Sequence, residues 1–71
     1  MNYYIRLKNL REDNDLTQMD IAKLLETTRQ QVSKWEQGTQ MMGVDKYIKL
    51  SQFYGVSVDY LLGLTDNPKK L

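Results

Sequence analysis

Residues 17–38, TQMDIAKLLETTRQQVSKWEQG, decide the fold of this chain. Thr17, followed three residues later by Asp20, is typical of a capping box at the start of a helix. The apolar residues that follow lie at helical spacing: Ile21, Ala22, Leu24 and Leu25. The pattern predicts a short amphipathic helix that ends before Glu26.

A second helix start follows immediately. Thr28 is a second N-cap candidate with Gln31 three residues later, and Val32 and Trp35 share an apolar face. Gly38 stands where a glycine commonly ends a helix. The outward face is then polar and carries Arg29, Gln30, Ser33 and Lys34. Such a helix, held on an apolar partner helix, is what reading of the DNA major groove requires.

The rest of the chain predicts three further helices. Residues 3–14 place apolar side chains along one stripe and form the first helix. Residues 44–54 mark a fourth helix that stops at Gly55, and Ser57 is the N-cap candidate of a short fifth helix. We therefore expect an all-α, compact five-helix fold over residues 1–64, with a flexible polar tail at 65–71.

The composition excludes several classes of protein. Seventy-one residues allow one small domain. Without cysteine or histidine, the chain has no disulfide, no thiolate metal site and no histidine base. The carboxylates do not form a shielded acid–base pair, so we expect no catalytic residue, no metal and no cofactor. No apolar run has the length of a membrane span and no signal peptide is evident, which makes the cytoplasm the expected location.

The charge pattern says more than the net charge of +1. The acidic residues of the first half of the chain all precede the helix predicted to start at Thr28. They are Glu12, Asp13, Asp15, Asp20 and Glu26. Arg29 and Lys34 are the only charged residues between Thr27 and Trp35. A nearly neutral chain with a locally positive helix can bind DNA with a modest non-specific component.

Several separated segments are similar to one family. They are Leu10-Arg11, residues 16–18 (LTQ) with Ile21-Ala22, residues 35–38 (WEQG) and residues 55–63 (GVSVDYLLG). In this order they resemble the Cro/CI-type helix-turn-helix domains, also called the XRE family, of phage repressors and small bacterial regulators. The resemblance implies a lambda-repressor-like fold whose helix-turn-helix is formed by helices two and three. The segment TTRQQVSKWEQG is most similar to the reading helix of lambdoid phage repressors.

The resemblance also implies roles for individual residues. Arg29, Gln30 and Lys34 would face base edges, with Ser33 at the margin. Gln18 would contact the DNA backbone and brace the first residue of the reading helix, while Arg11 and Glu36 would form an internal salt bridge. Further candidates for contacts to the DNA backbone lie at the two ends of the reading helix. They are Thr28, Gln37, Thr39 and Gln40. The chain departs from the family pattern at Glu26, where glycine is common, and near Met42, where proline is common.

Each of these roles has an alternative. Arg29 and Gln30 could be ordinary solvated helix residues, Lys34 could reach a phosphate instead of a base, and the polar residues after the helix could be plain loop residues. Trp35 could stack on bases, but its spacing from Val32 favours the core.

The interpretation favoured by the sequence is a DNA-binding transcriptional regulator, and specifically a repressor. It would bind a palindromic operator in double-stranded DNA as a homodimer, with the dimer contact expected at Tyr60 to Leu64. We expect no membrane and no small-molecule partner. The alternative is a protein-interaction module, such as an antitoxin or adaptor, whose main partner is another protein.

Overall fold

The structure is a computed structural model that describes residues 2–69, in which five helices and no strand occur. The helices are α1 Tyr3–Asp13, α2 Gln18–Leu24, α3 Arg29–Gln37, α4 Val44–Tyr54 and α5 Val58–Leu61. The expected all-α, five-helix fold is confirmed. None of the helices in this part of the chain is long and apolar enough to cross a membrane.

The N-caps form where the sequence predicts them. At α2 the capping box is complete, because the Thr17 hydroxyl accepts from the Asp20 N–H at 3.1 Å and the Thr17 N–H donates to Asp20 Oδ2 at 2.8 Å. Hydrogen bonds from the backbone and the side chain of Thr17 hold the pKa of Asp20 below its ordinary value. Ser57 caps α5 by accepting from the Tyr60 N–H at 3.0 Å.

The connections before and after α2 use a left-handed backbone at residues other than glycine. Asp15 has φ 57° and Glu26 has φ 56°. Aspartate enters this conformation more readily than glutamate, because its short side chain bonds locally to the backbone. The absence of glycine at position 26 therefore leaves a strained residue in the turn of the helix-turn-helix.

Gly38 ends α3 for two reasons. Its φ of 78° is left-handed, and a Cβ at this position would lie 2.8 Å from a ring carbon of Tyr4. The tyrosine ring of α1 therefore occupies the space that a side chain would need.

The core lies where the five helices meet. Its buried apolar residues are Leu7, Ile21, Ala22, Leu25, Val32, Trp35, Met42, Tyr47, Leu50, Val56 and Leu61. Trp35 is among them, so its role in packing is confirmed. The two adjacent methionines differ: Met42 enters the core, whereas Met41 is 72% exposed.

The sequence did not indicate that Arg6 is buried. Its guanidinium lies 3.8 Å from the ring centroid of Tyr60 and donates to Asp66 Oδ1 at 3.0 Å and to the Thr65 carbonyl at 3.5 Å. In addition, the Ser57 N–H donates to the Pro68 carbonyl at 3.0 Å. The residues after α5 thus contact α1 and α5 as far as Pro68. The flexibility of residues 65–71 stays a prediction, and residues 70–71 lie outside the described part.

Candidate nucleic-acid interface

Helix α3 divides into a buried and an exposed face. Val32, Trp35 and Glu36 point into the protein. The exposed side chains are Arg29, Gln30, Lys34 and Gln37, with Gln31 and Ser33 half-buried beside them. The helix therefore presents a polar surface whose position is fixed by the core.

The charges on this surface have one sign. Arg29 and Lys34 are exposed, while the acidic residue of α3, Glu36, is only 9% exposed. Since Glu36 is also paired with a cation inside the protein, it does not neutralise the outer face. The exposed side of α3 is thus positive and rich in amide groups, which suits an anionic, hydrogen-bonding partner.

Glu36 joins three helices. Its carboxylate accepts from Arg11 Nε at 2.7 Å and from Arg11 Nη2 at 3.1 Å, and it also accepts from Gln18 Nε2 at 3.1 Å. Arg11 Nη1 donates in addition to the Leu16 carbonyl at 2.8 Å. Glu36 therefore ties the end of α3 to α1 and to the start of α2. Through Arg11 the same network also reaches Leu16, the residue before the N-cap of α2.

This ion pair affects nearby ionisable groups. Hydrogen bonding to Glu36 raises the pKa of Arg11 above its ordinary value. Burial, together with the charge of Glu36, raises the pKa of Tyr54 to about 12. Both groups therefore stay protonated over the physiological range of pH.

The structure places Gln18 differently from the expected brace. Its amide nitrogen bonds to Glu36 near the end of α3, and no bond to Arg29 at the start of the helix is present in residues 2–69. The Nε2 donor of Gln18 is taken by the carboxylate of Glu36, a charged acceptor that forms a stronger hydrogen bond than a neutral one. The second amide hydrogen of Gln18 stays available for a partner.

The remaining candidates for backbone contacts differ in the donors they have left. The Thr28 hydroxyl accepts from the Gln31 N–H and keeps its own hydrogen. Gln37 Nε2 donates one hydrogen to Ser33 Oγ at 3.1 Å and keeps the other. Both donors of Thr39, its N–H and its hydroxyl, are bonded to the Lys34 carbonyl at 3.1 and 3.2 Å. Thr39 would therefore have to break a bond before it could donate to a phosphate.

Gln31 is a residue of this surface that the sequence indicated only as a helix-capping partner. Its amide nitrogen donates to Gln40 Oε1 in the loop after α3. Its position three residues before Lys34, which makes the two side chains neighbours on the helix, is the sequence signal that would have identified it.

The described residues present hydrogen-bond donors at this surface and no metal-binding cluster. Within 2–69 there is no group of three or more metal-ligating side chains placed to hold an ion. What the surface offers is an ordered set of amide, guanidinium and ammonium donors on one helix. Together with α2 and the tight turn between the two helices, this surface defines a helix-turn-helix.

Comparison with known proteins gives the same class. The family model described as helix-turn-helix matches residues 7–61, and the chain belongs to this family. The resemblance to Cro/CI-type domains is thereby confirmed. The matched family is described by its helix-turn-helix, and the relatives that resemble this chain are named as transcriptional regulators.

Three curated relatives show how far the similarity extends. The chain is 36% identical over 93% of its length to the uncharacterized HTH-type transcriptional regulator YobD of Bacillus subtilis (strain 168), 59% of which is covered. It is 37% identical over 92% of its length to the HTH-type transcriptional regulator ImmR of the same organism, 51% of which is covered. It is 34% identical over 87% of its length to the HTH-type transcriptional activator BcrR of Enterococcus faecalis, 30% of which is covered. The chain thus spans less than two thirds of each relative.

Solved structures share the fold. A transcriptional regulator from Listeria innocua matches with a TM-score of 0.85 and 26% identity, over 87% of this chain and 58% of that one. The P22 c2 repressor, solved in complex with a synthetic operator, matches with a TM-score of 0.79 over 87% of this chain and 94% of that one. At 22% identity the second likeness shows the fold alone. The lambda-repressor-like architecture is therefore confirmed.

Proposed function

We propose that this chain is a sequence-specific DNA-binding transcriptional regulator that reads an operator in the major groove with α3. The observation that carries the proposal is the exposed face of α3. Its two exposed charges, Arg29 and Lys34, are positive, and its acid, Glu36, is buried and paired. A rigid helix with this surface matches both the phosphate backbone and the base edges of DNA.

The outward side chains supply the base contacts. Arg29 can donate two hydrogen bonds to guanine O6 and N7, and Gln30 can pair in the same way with adenine N6 and N7. Each such pair discriminates by about 1–3 kcal/mol against a wrong base. Ser33 lies at the margin of this set, and Lys34 reaches either a base edge or a phosphate.

Contacts to phosphates would hold the helix in register. Gln18 and Thr28 lie at the starts of α2 and α3 and keep a free side-chain hydrogen. Gln37, the last residue of α3, and Gln40, in the loop after it, each keep amide hydrogens, whereas Thr39 would first have to release the Lys34 carbonyl. We therefore rank Thr39 last among the backbone contacts.

We further propose a homodimer on a palindromic operator. One short helix covers few base pairs, so two half-sites about one helical turn apart supply usable specificity. In the expected contact at Tyr60 to Leu64, Leu61 is fully buried and Tyr60 packs under Arg6. Leu64, which is 74% exposed, is the apolar side chain of this segment that is available to a second copy.

Repression would follow from occupation of a promoter, which requires no contact other than those with DNA. Because one relative is named an activator, the direction of regulation is a separate test. A reporter driven by the selected operator should lose expression when the protein is present. An increase would establish activation instead.

Selection of the purified protein against a random pool of duplex DNA tests the function. The wild type should enrich an inverted repeat, and an Arg29→Ala, Gln30→Ala variant should lose or change that preference. Gln52→Ala, an exposed glutamine of α4, is the matched control. Enrichment of a single half-site would support the role of α3 as the reading helix and exclude the dimer. No enrichment at low salt would overturn the proposal and favour a protein partner, whose binding would be less sensitive to salt.

A further inference from the structure

Two glutamine side chains connect the edge of the exposed surface of α3 to the loop that follows the helix. Gln31 Nε2 donates to Gln40 Oε1, so an amide bridge joins the first turn of α3 to residues 39–43. Both side chains are neutral, and nine positions separate them in the sequence. This bridge places a loop residue beside the reading surface.

The bridge replaces a local bond that Gln31 is expected to make. In α2, Asp20 returns its side chain to the Thr17 N–H and completes the capping box. In α3, Thr28 accepts from the Gln31 N–H, but the Gln31 side chain points to Gln40 and does not return to the N-cap backbone. The side chain of Gln31 is thus directed to the loop and leaves the capping box of α3 half formed.

The loop that carries Gln40 is fixed on both sides of it. Before it, the N–H and hydroxyl of Thr39 bond to the Lys34 carbonyl. After it, Met42 is 5% exposed within the core, although Met41 is 72% exposed. Because its backbone is held in this way, Gln40 has mainly side-chain freedom left, and the bond to Gln31 removes that freedom.

We infer that Gln31 is a positioning residue that orients Gln40 as a hydrogen-bond donor to a DNA phosphate. The inference rests on the proposed function and adds a residue that contacts DNA through another. Phosphate oxygens only accept hydrogen bonds, and an amide side chain has one accepting end and one donating end. Since Gln31 occupies the accepting end of Gln40, the donating end is left to face a partner. An unbridged Gln40 would lose more rotamer freedom on binding.

Alanine variants of both residues test the inference on the DNA that the wild type selects. Gln40→Ala removes the donor and should weaken binding about five-fold, the value of one hydrogen bond. Gln31→Ala should weaken binding by up to the same factor, although the side chain of Gln31 itself need not touch DNA. The double variant should be no weaker than Gln40→Ala, because the two changes remove one contact. Gln52→Ala is again the matched control and should bind like the wild type.

Glutamate variants separate orientation from a merely structural role. Gln31→Glu cannot donate; its carboxylate would accept from Gln40 Nε2 and turn the donor away from DNA, so affinity should fall at least as far as in Gln31→Ala. Gln40→Glu still accepts from Gln31 and keeps the bridge, but it places a carboxylate against a phosphate. It should therefore bind more weakly than Gln40→Ala while its melting temperature stays at or above that of Gln40→Ala.

The outcomes distinguish this inference from the proposed function. If the wild type enriches no DNA, the proposed function fails and the inference fails with it. If the wild type binds and Arg29→Ala weakens it while Gln31→Ala has no effect, only the inference is overturned. Additive losses in the double variant would also overturn it, since they would show that Gln31 and Gln40 act independently. The slope of affinity against salt should be unchanged in the alanine variants, because no charge is removed.

Discussion

Glu36 on α3 and Arg11 on α1 form an ion pair through two hydrogen bonds of 2.7 and 3.1 Å, with only 6% and 11% of their side chains exposed. In such a pair, removal of one partner leaves the other charge buried without compensation. Removal of one partner should therefore cost more than the intact pair contributes to stability, since desolvation of the two charges offsets much of their attraction.

Substitution of one partner should be much more harmful than substitution of both. We expect Arg11→Met to lower the free energy of unfolding by about 3 kcal/mol, because Glu36 is left buried without a counter-charge. The double variant Arg11→Met, Glu36→Leu should recover much of the loss. Urea denaturation of the wild type, of Arg11→Met and of the double variant measures these free energies of unfolding. Equal losses in the single and double variants would contradict the assignment of a buried charge penalty.

Glycine at position 26 should stabilise the chain. Glu26 has φ 56°, a conformation that costs a residue with a side chain about 1–2 kcal/mol, whereas glycine adopts it freely. After the entropy cost of glycine, Glu26→Gly should gain roughly 0.5–1 kcal/mol, read as a higher melting temperature. Lys23→Gly, at an exposed position inside α2, is the control and should lose stability. A loss in both variants would show that the turn is not strained.

The capping box of α2 predicts how stability depends on acid. The pKa of Asp20 is lower in the folded chain than its ordinary value of 3.8, so the carboxylate stabilises the fold above that pH. The contribution is lost as the pH falls through the folded-state pKa. Asp20→Asn should therefore reduce the loss of stability in this acid range, as measured by thermal unfolding at a series of pH values. Glu12→Gln, which removes an exposed charge of α1, controls for net charge.

The hydroxyl of Tyr47 should be dispensable. Among the described residues it is a buried polar atom without a hydrogen-bond partner, and burial raises its pKa. Because an unsatisfied buried group is costly, Tyr47→Phe should leave stability unchanged or raise it by up to about 1 kcal/mol. The same substitution at Tyr54, which lies near the Arg11–Glu36 pair, is the comparison. A clear loss of stability in Tyr47→Phe would indicate a partner such as an ordered water molecule.

The helix-turn-helix could be predicted because its signals are local. Thr17, Asp20 and Thr28 act on residues within one turn, and the spacing of Val32 and Trp35 reflects the period of a helix. Gly38 gave the end of α3 for the same reason. These features do not depend on the path of the rest of the chain.

The features that could not be predicted depend on residues distant in the sequence. Arg6 is buried because Asp66, 60 positions away, and the ring of Tyr60 are brought to it by the fold. Periodicity likewise placed Val44 and Ile48 on α4, but it could not show that they are 73% and 49% exposed. For the site, residue types gave the outward side chains, whereas the choice of partner made by Gln18 and Gln31 depended on which acceptor the fold placed nearest.

The attachment of α3 to α1 and α2 through Glu36 separates two properties of the helix. Its inward residues, Val32, Trp35 and Glu36, determine where the helix lies, and its outward residues determine what it can recognise. Because these contacts set the position of the helix, we expect a change in what it recognises to come from exchange of its outward side chains. The binding preference of this chain is therefore a modular trait, which can diverge between related regulators while the scaffold beneath it is preserved.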